Sequence, residues 1–263
     1  MVIVGKIFAY WDRFMFRKII LPYMLCFVGI VSVAAEPFQG PFRSDKNNII
    51  VVIDPAHGGS DLGVIGHSGT TEKDITLAIA KNIEVMIKDA LPNIQVHLTR
   101  VGDVSLTNYI RTDMIVEKDA DIFISLHSDG SMNDHTSGMF VVYYSDIEPA
   151  GYSTEAHSTD NTIDPSESIL LGRTIADSIQ RDLLLSEPIR IMKYPSSLLK
   201  NVIVPAIIIN LGFLTNPLEE SQLKLEATQK KISHAIIVAL DAYYNIWALK
   251  HNQQYDNGTN WTK

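Results

Sequence analysis

Apolar positions along this chain fall into two patterns. Short β-branched or aromatic runs occur at residues 49–53, 94–98, 121–126, 138–144 and 202–210. Each is too short for a helix. The first, third and fifth are nearly unbroken, as expected of strands covered on both faces. Between them lie helical spacings. Residues 72–91 place apolar side chains at 75, 79, 83, 86, 87 and 90, one face of a helix. Further helices are expected at 106–118, 168–185 and 228–249. A short one opens at Asn216-Pro217, with proline in its first turn. Strands separated by helices predict an α/β fold: a twisted, mostly parallel central sheet with helices on both faces. In such sheets ligands collect at the carboxyl ends of the strands.

The amino terminus reads differently. Lys6, Arg13, Arg17 and Lys18 precede an uncharged apolar run of 17 residues, 19–35, which ends Val33-Ala34-Ala35. A basic stretch, an apolar stretch and a small-residue exit predict an export signal at 1–35. The run is at the short edge of what spans a bilayer, so an uncleaved membrane anchor is the alternative. Pro22 argues against a buried core helix. Residues 36–48, with Pro37, Gly40 and Pro41, read as a linker. One folded domain is expected at 49–250, followed by a flexible polar tail at 251–263. Within the domain, residues 145–166 carry Pro149, Gly151 and Pro165 and read as a long loop or insertion.

Composition narrows the function classes. The chain has 263 residues, 46% hydrophobic and 20% charged, with no internal repeat, an ordinary globular balance. Its net charge of −8 makes it a poor partner for nucleic acid, which calls for a basic footprint. Loss of residues 1–35 takes that charge to −11, because four basic side chains and Asp12 leave together. The single cysteine, Cys26, excludes a disulfide framework and a thiolate metal cluster. The expected compartment is outside the cytoplasm, in a bacterial periplasm, with stability supplied by the core alone.

Three residues suggest chemistry. His57 follows the first strand, Glu72 begins the first helix, and His127 follows the strand at 121–126. Two imidazoles and one carboxylate form a zinc set that leaves a fourth position open. By spacing alone each histidine is equally well a structural or solvated residue.

The wording around them is more specific. Val52-Ile53-Asp54-Pro55-Ala56-His57-Gly58-Gly59, Asp61-Leu62-Gly63 and Thr71-Glu72-Lys73-Asp74 resemble the opening of the zinc-dependent N-acetylmuramoyl-L-alanine amidases, as does Leu98-Thr99-Arg100 with Asp103. Residues 121–129 resemble that family's second histidine motif. Pro205-Ala206-Ile207 through Gly212-Phe213-Leu214-Thr215-Asn216-Pro217 resembles its last motif. The likeness covers residues 49–247 in order. It implies Zn2+ held by His57, Glu72 and His127. It also implies peptidoglycan as substrate, cut at the amide between N-acetylmuramic acid and L-alanine of the stem peptide. Some relatives carry, in the interval of residues 145–166, a segment that blocks the site until an activator protein displaces it. Here that stretch is short, lacks an amphipathic helix and reads as a surface insertion.

One position departs from the pattern. The family's last strand carries a glutamate two residues before the Gly-Phe pair, the group expected to act as general base. Here that position is Asn210. A carboxamide hydrogen-bonds a water but does not take its proton at neutral pH. The sequence therefore predicts either a slow amidase or an amidase-fold protein that binds peptidoglycan or regulates other wall enzymes. Glu219 and Glu220 follow Pro217 on a helix start and are not expected to replace the missing base. His67, His97, His135 and His234 read as surface, loop or packing residues. Arg100 and Arg111 are expected to orient the site, to bind a peptide carboxylate, or to form ordinary salt bridges.

Overall fold

The computed structural model describes residues 48–144 and 165–258, with side chains through 249. The expected export signal, most of the linker and most of the 145–166 insertion lie outside the described residues.

In chain order the elements are β1 (Ile49–Pro55), α1 (Glu72–Ala90), β2 (Ile94–Leu98), α2 (Asn108–Glu117), β3 (Ile122–Asp129), β4 (Phe140–Tyr144), α3 (Pro165–Leu183), β5 (Arg190–Tyr194), β6 (Ala206–Phe213), α4 (Pro217–Leu223) and α5 (Glu226–Gly258). The strands form one sheet in the order β2-β1-β3-β6-β4-β5. All neighbours are parallel except β4 and β6. The expected mostly parallel α/β sheet is therefore observed.

The apolar runs are unbroken because the sheet is buried on both faces. Val51, Ile53, Ile122, Ile124, Leu126, Ile207 and Ile209 point to one side and pack with α1, α3 and α5. Val52, Phe123 and Ala206 point to the other, against Ile115 of α2 and against Leu198 and Leu199. Removing this much apolar side chain from water is the main stabilising term. The helices lie on both faces, unequally: α1, α3, α5 and the short α4, through Leu223, on the first, and the short α2 on the second.

Several boundaries differ from expectation. β5 was not anticipated. It is an edge strand, Arg190-Ile-Met-Lys-Tyr, with exposed positions at both ends and in place of a clean alternation. β6 begins at Ala206 rather than 202, because Pro205 has no N–H to give a ladder. β1 runs on through Asp54 and Pro55, which pair with Ser125 and Leu126. α5 continues to Gly258, past the expected end at 249.

Candidate metal centre

The centre stands on a buried ionic hub. Asp54, fully buried on β1, accepts hydrogen bonds from Thr99 Oγ1 at 2.6 Å and Ser125 Oγ at 2.7 Å, and pairs with Arg111. Arg111 also donates to the carbonyl of His57 at 2.9 Å. Arg100 donates to the carbonyls of Pro55 at 2.8 Å and Ala56 at 3.0 Å. Both guanidiniums are buried, so they orient the loop after β1 and do not face a ligand. Replacing Arg111 with leucine leaves Asp54 short of its charge partner. The expected loss is about 3–5 kcal/mol, the range for breaking a buried pair by removing one side. Urea unfolding of the variant measures it, and a loss below about 1 kcal/mol would contradict this role for the pair.

This scaffold holds His57 in the left-handed backbone region, at φ 60°. For a residue with a Cβ that conformation costs about 1–3 kcal/mol and persists only where the surroundings enforce it. Here the Arg111 contact and reciprocal backbone bonds between Gly58 and Asp61 enforce it. Gly63 then passes close by. A Cβ at this position would lie 2.5 Å from Glu72 Oε2 and 2.7 Å from His57 Cδ2, so only glycine fits.

Glu72 opens α1, where the helix N-terminus favours a carboxylate. Its side chain is buried and sits between the two histidines. Oε2 lies 3.0 Å from His57 Nε2, and Oε1 lies 3.0 Å from His127 Nδ1. Oε2 also accepts from Val64 N at 2.9 Å, and Oε1 from Ser128 N at 3.0 Å. Burial alone would raise the Glu72 pKa, but the hydrogen bonds with His127, His57 and Val64 outweigh it and hold the group down to about 2. The His57 pKa is raised, chiefly by its hydrogen bond to Glu72, against burial, with Asp61 adding to the effect.

The structure thus brings His57, Glu72 and His127 together. Each offers one ligand atom, and those atoms lie within 4.8 Å of one another. Tetrahedral zinc with bonds of about 2.0–2.2 Å needs ligand atoms roughly 3.3–3.5 Å apart, so the donor set and its spacing fit such an ion. The imidazole rings meet edge to face at 5.4 Å. Both remain partly open to solvent, at 24% and 29% exposure, so the cluster faces a mouth. Sequence reasoning gave Asp61 no role. Its Oδ2 lies 2.9 Å from His57 Nδ1, which leaves Nε2 turned toward the cluster, the usual way a carboxylate orients a ligating histidine. The available signal was a carboxylate four residues after the histidine in a glycine-rich turn.

Asn210 lies beside this cluster. In the β3–β6 register it is the direct partner of His127, so the two share a face of the sheet. The register shifts between His127 and Asp129, an irregularity of the kind that re-aims side chains near sites. Asn210 is 4% exposed, and its Oδ1 accepts from Gly212 N at 2.9 Å. Neither nearby glutamate takes over the carboxylate position. Glu219 accepts from the N–H groups of Phe213 and Gly138, both at 2.7 Å. Glu220 accepts from the N–H groups of Ser68 at 2.8 Å and Thr70 at 3.2 Å, stapling the loop before α1. His67 and His135 are exposed, and His234 pairs with Asp182 on the surface.

Burial would raise the Glu220 pKa, but hydrogen bonds from Thr70 and Ser68 carry it from 4.5 down to about 2. A depressed carboxylate pKa gives stability that is complete above pH 4.5 and fades as pH falls toward 2. Glu220→Gln is therefore expected to flatten the melting temperature across that window relative to the unmodified protein. An unchanged acid limb would show that the staple carries no linked proton.

A mostly parallel α/β sheet with two histidines and a carboxylate converging at its strand ends has the donor set of a site that can hold a metal ion. Residues 51–242 match the family Amidase_3, N-acetylmuramoyl-L-alanine amidase, and the chain belongs to that family. The N-acetylmuramoyl-L-alanine amidase AmiA of Escherichia coli (strain K12) is 29% identical over 222 residues, covering 74% of this chain and 76% of that protein. The solved N-acetylmuramoyl-L-alanine amidase of Clostridium difficile 630 is similar at a TM-score of 0.64 and 26% identity, covering 76% of this chain and 98% of that one. The CwlD amidase of Clostridioides difficile, solved in complex with the GerS lipoprotein, gives 0.63 and 25%, covering 76% of this chain and 100% of that one.

Proposed function

We propose that this chain is a zinc-dependent cell-wall amidase. It would hold Zn2+ on His57, Glu72 and His127 and hydrolyse the amide between N-acetylmuramic acid and L-alanine of the stem peptide. The observation that carries this reading is the convergence of those three side chains within 4.8 Å at the carboxyl ends of β1 and β3, in a chain of the amidase family. Bound zinc supplies an acidified water and a positive charge for the carbonyl oxygen. In the overall reaction the water's hydroxyl joins the muramyl carbonyl carbon, the C–N bond breaks, and a proton passes to the alanine nitrogen.

The chain's own residues set the terms. Asp61 and Glu72 fix the two imidazoles. Asp54, Arg100 and Arg111 hold the His57 turn from beneath. Asn210 stands where a proton acceptor is wanted and cannot serve, so turnover is slow. That single substitution also favours a second reading, in which the protein binds peptidoglycan or regulates other wall enzymes without cutting. A peptidoglycan substrate and the basic-then-apolar start of the sequence support export, and we read the compartment as the periplasm. CwlD is solved in complex with a lipoprotein, which supports a protein partner here too, and we assign that partner the role of activator.

The test is release of free stem peptides from purified peptidoglycan by the zinc-loaded full chain, beside His57→Ala. Measurable release that His57→Ala abolishes supports the amidase. A zinc-loaded protein that releases nothing supports the second reading.

A further inference from the structure

We infer that Asn210 makes this cleft a site for a free carboxylate, and that the carboxylate is the lactyl group of N-acetylmuramic acid left bare once the stem peptide has gone. The inference rests on the amidase reading above, which supplies the metal and the sugar.

The orientation of the amide is the first observation. The Gly212 N–H can meet only a carbonyl oxygen, so its 2.9 Å bond fixes Oδ1 toward the bulge and turns Nδ2 away from it. Among the described residues Nδ2 donates no hydrogen bond, and it is not among the side-chain atoms sealed from solvent without a partner, so what little of this side chain is exposed includes the unused donor. An N–H donor that reaches solvent can exchange its water for a ligand oxygen that accepts from it. Asn210 shares its face with His127, whose ring borders the open mouth. The unused donor is thus placed next to the proposed metal position.

Charge is the second observation. Glu72 is the only carboxylate among the three ligand residues. A divalent ion on one carboxylate and two neutral imidazoles keeps one positive charge. Asp61 lies behind His57, on the Nδ1 side, and is 62% exposed, where solvent screens it. Glu219 and Glu220 are turned onto backbone N–H groups. A glutamate at 210 would cancel the remaining charge and repel an anion. Asparagine leaves the charge standing and adds a donor.

The intact substrate presents a neutral amide at this point, and the cut glycan presents a carboxylate on the same carbon. The substitution therefore moves preference from the substrate to the peptide-free glycan. A site that recognises bare muramic acid would hold the protein on glycan that other amidases have already stripped.

Calorimetric titration of the zinc-loaded full chain in mild detergent tests this. The ligands are the disaccharide of N-acetylglucosamine and N-acetylmuramic acid, the same disaccharide with its lactyl group as the amide, and L-alanyl-D-glutamate as a stem-peptide carboxylate. The free-acid disaccharide should bind at least about tenfold more tightly than either alternative, because like charge or a lost charge-assisted bond is worth at least that much. Asn210→Glu should lose at least about tenfold for the acid at unchanged zinc content. Equal binding of acid and amide, equal binding of the dipeptide, or undiminished binding by Asn210→Glu each overturns the inference and leaves the amidase reading intact. Failure to take up zinc overturns both.

Discussion

Replacing Glu72 with alanine is expected to empty the centre of zinc. This one side chain reaches both histidines at 3.0 Å and is also the acceptor for the N–H groups of Val64 and Ser128. Losing a residue that only orients a ligand typically costs metal affinity 10–100-fold. Glu72 is a candidate ligand as well as the group that spaces the other two, so the fall should exceed about 100-fold. The variant also strands two backbone donors, at about 1–3 kcal/mol each where they stay dry, so it should melt lower even without metal. Zinc content after dialysis against a weak chelator, measured by atomic emission, separates the two effects. The full-length protein should retain about one ion per chain and the variant close to none. Zinc retained at one per chain in Glu72→Ala would move the metal elsewhere and remove the basis of the proposed function. Asp61→Ala should fall between the two, since it touches His57 from behind without contributing to the cluster.

The parts of this architecture that sequence reveals are those decided locally. The strands β1, β3 and most of β6 could be read because both their faces are buried, which forces runs such as Ile49-Ile50-Val51-Val52-Ile53 that suit little else. α1 could be read because its inward positions Ile75, Ile79, Ile83 and Ile87 keep a strict helical period. β5 could not. It lies at the sheet's edge beyond β4, where one neighbour and partial exposure relax the pattern, and its pairing with β4 is fixed by chain topology rather than by its own residues. The candidate site divides in the same way. His57, Glu72 and His127 stood out by residue type and by the motifs around them. The supporting hub of Asp54, Thr99, Arg111 and Ser125 did not, because its members come from four separate segments and meet only through the pairing of β1 with β2 and β3 and the placement of α2. Arg100 and Arg111 are ambiguous in sequence for a related reason. A guanidinium can serve a ligand or a backbone, and only burial decides between them.

Asn210→Glu is expected to raise the rate of stem-peptide release by about 10²–10⁴-fold, the usual worth of a positioned general acid or base. The geometry favours acceptance of the change. Residue 210 is the register partner of His127, and its backbone stays in the central strand whichever side chain it carries. The carboxylate can keep the bond from Gly212 N with one oxygen and offer the other toward the mouth. The extra methylene must fit a site that is 4% exposed, so a modest loss of thermal stability should accompany the gain. Asn210→Asp restores the charge one methylene short and should recover less activity, which separates placement of the base from charge alone. A pH–rate profile adds a signature that repacking would not produce. The glutamate variant should acquire an acid limb from its new carboxylate, and the unmodified protein should lack that limb. If Asn210→Glu binds zinc, folds and releases no more peptide than its parent, the missing base does not limit this protein. Another step, such as entry of the glycan or a required activator, would then set its rate.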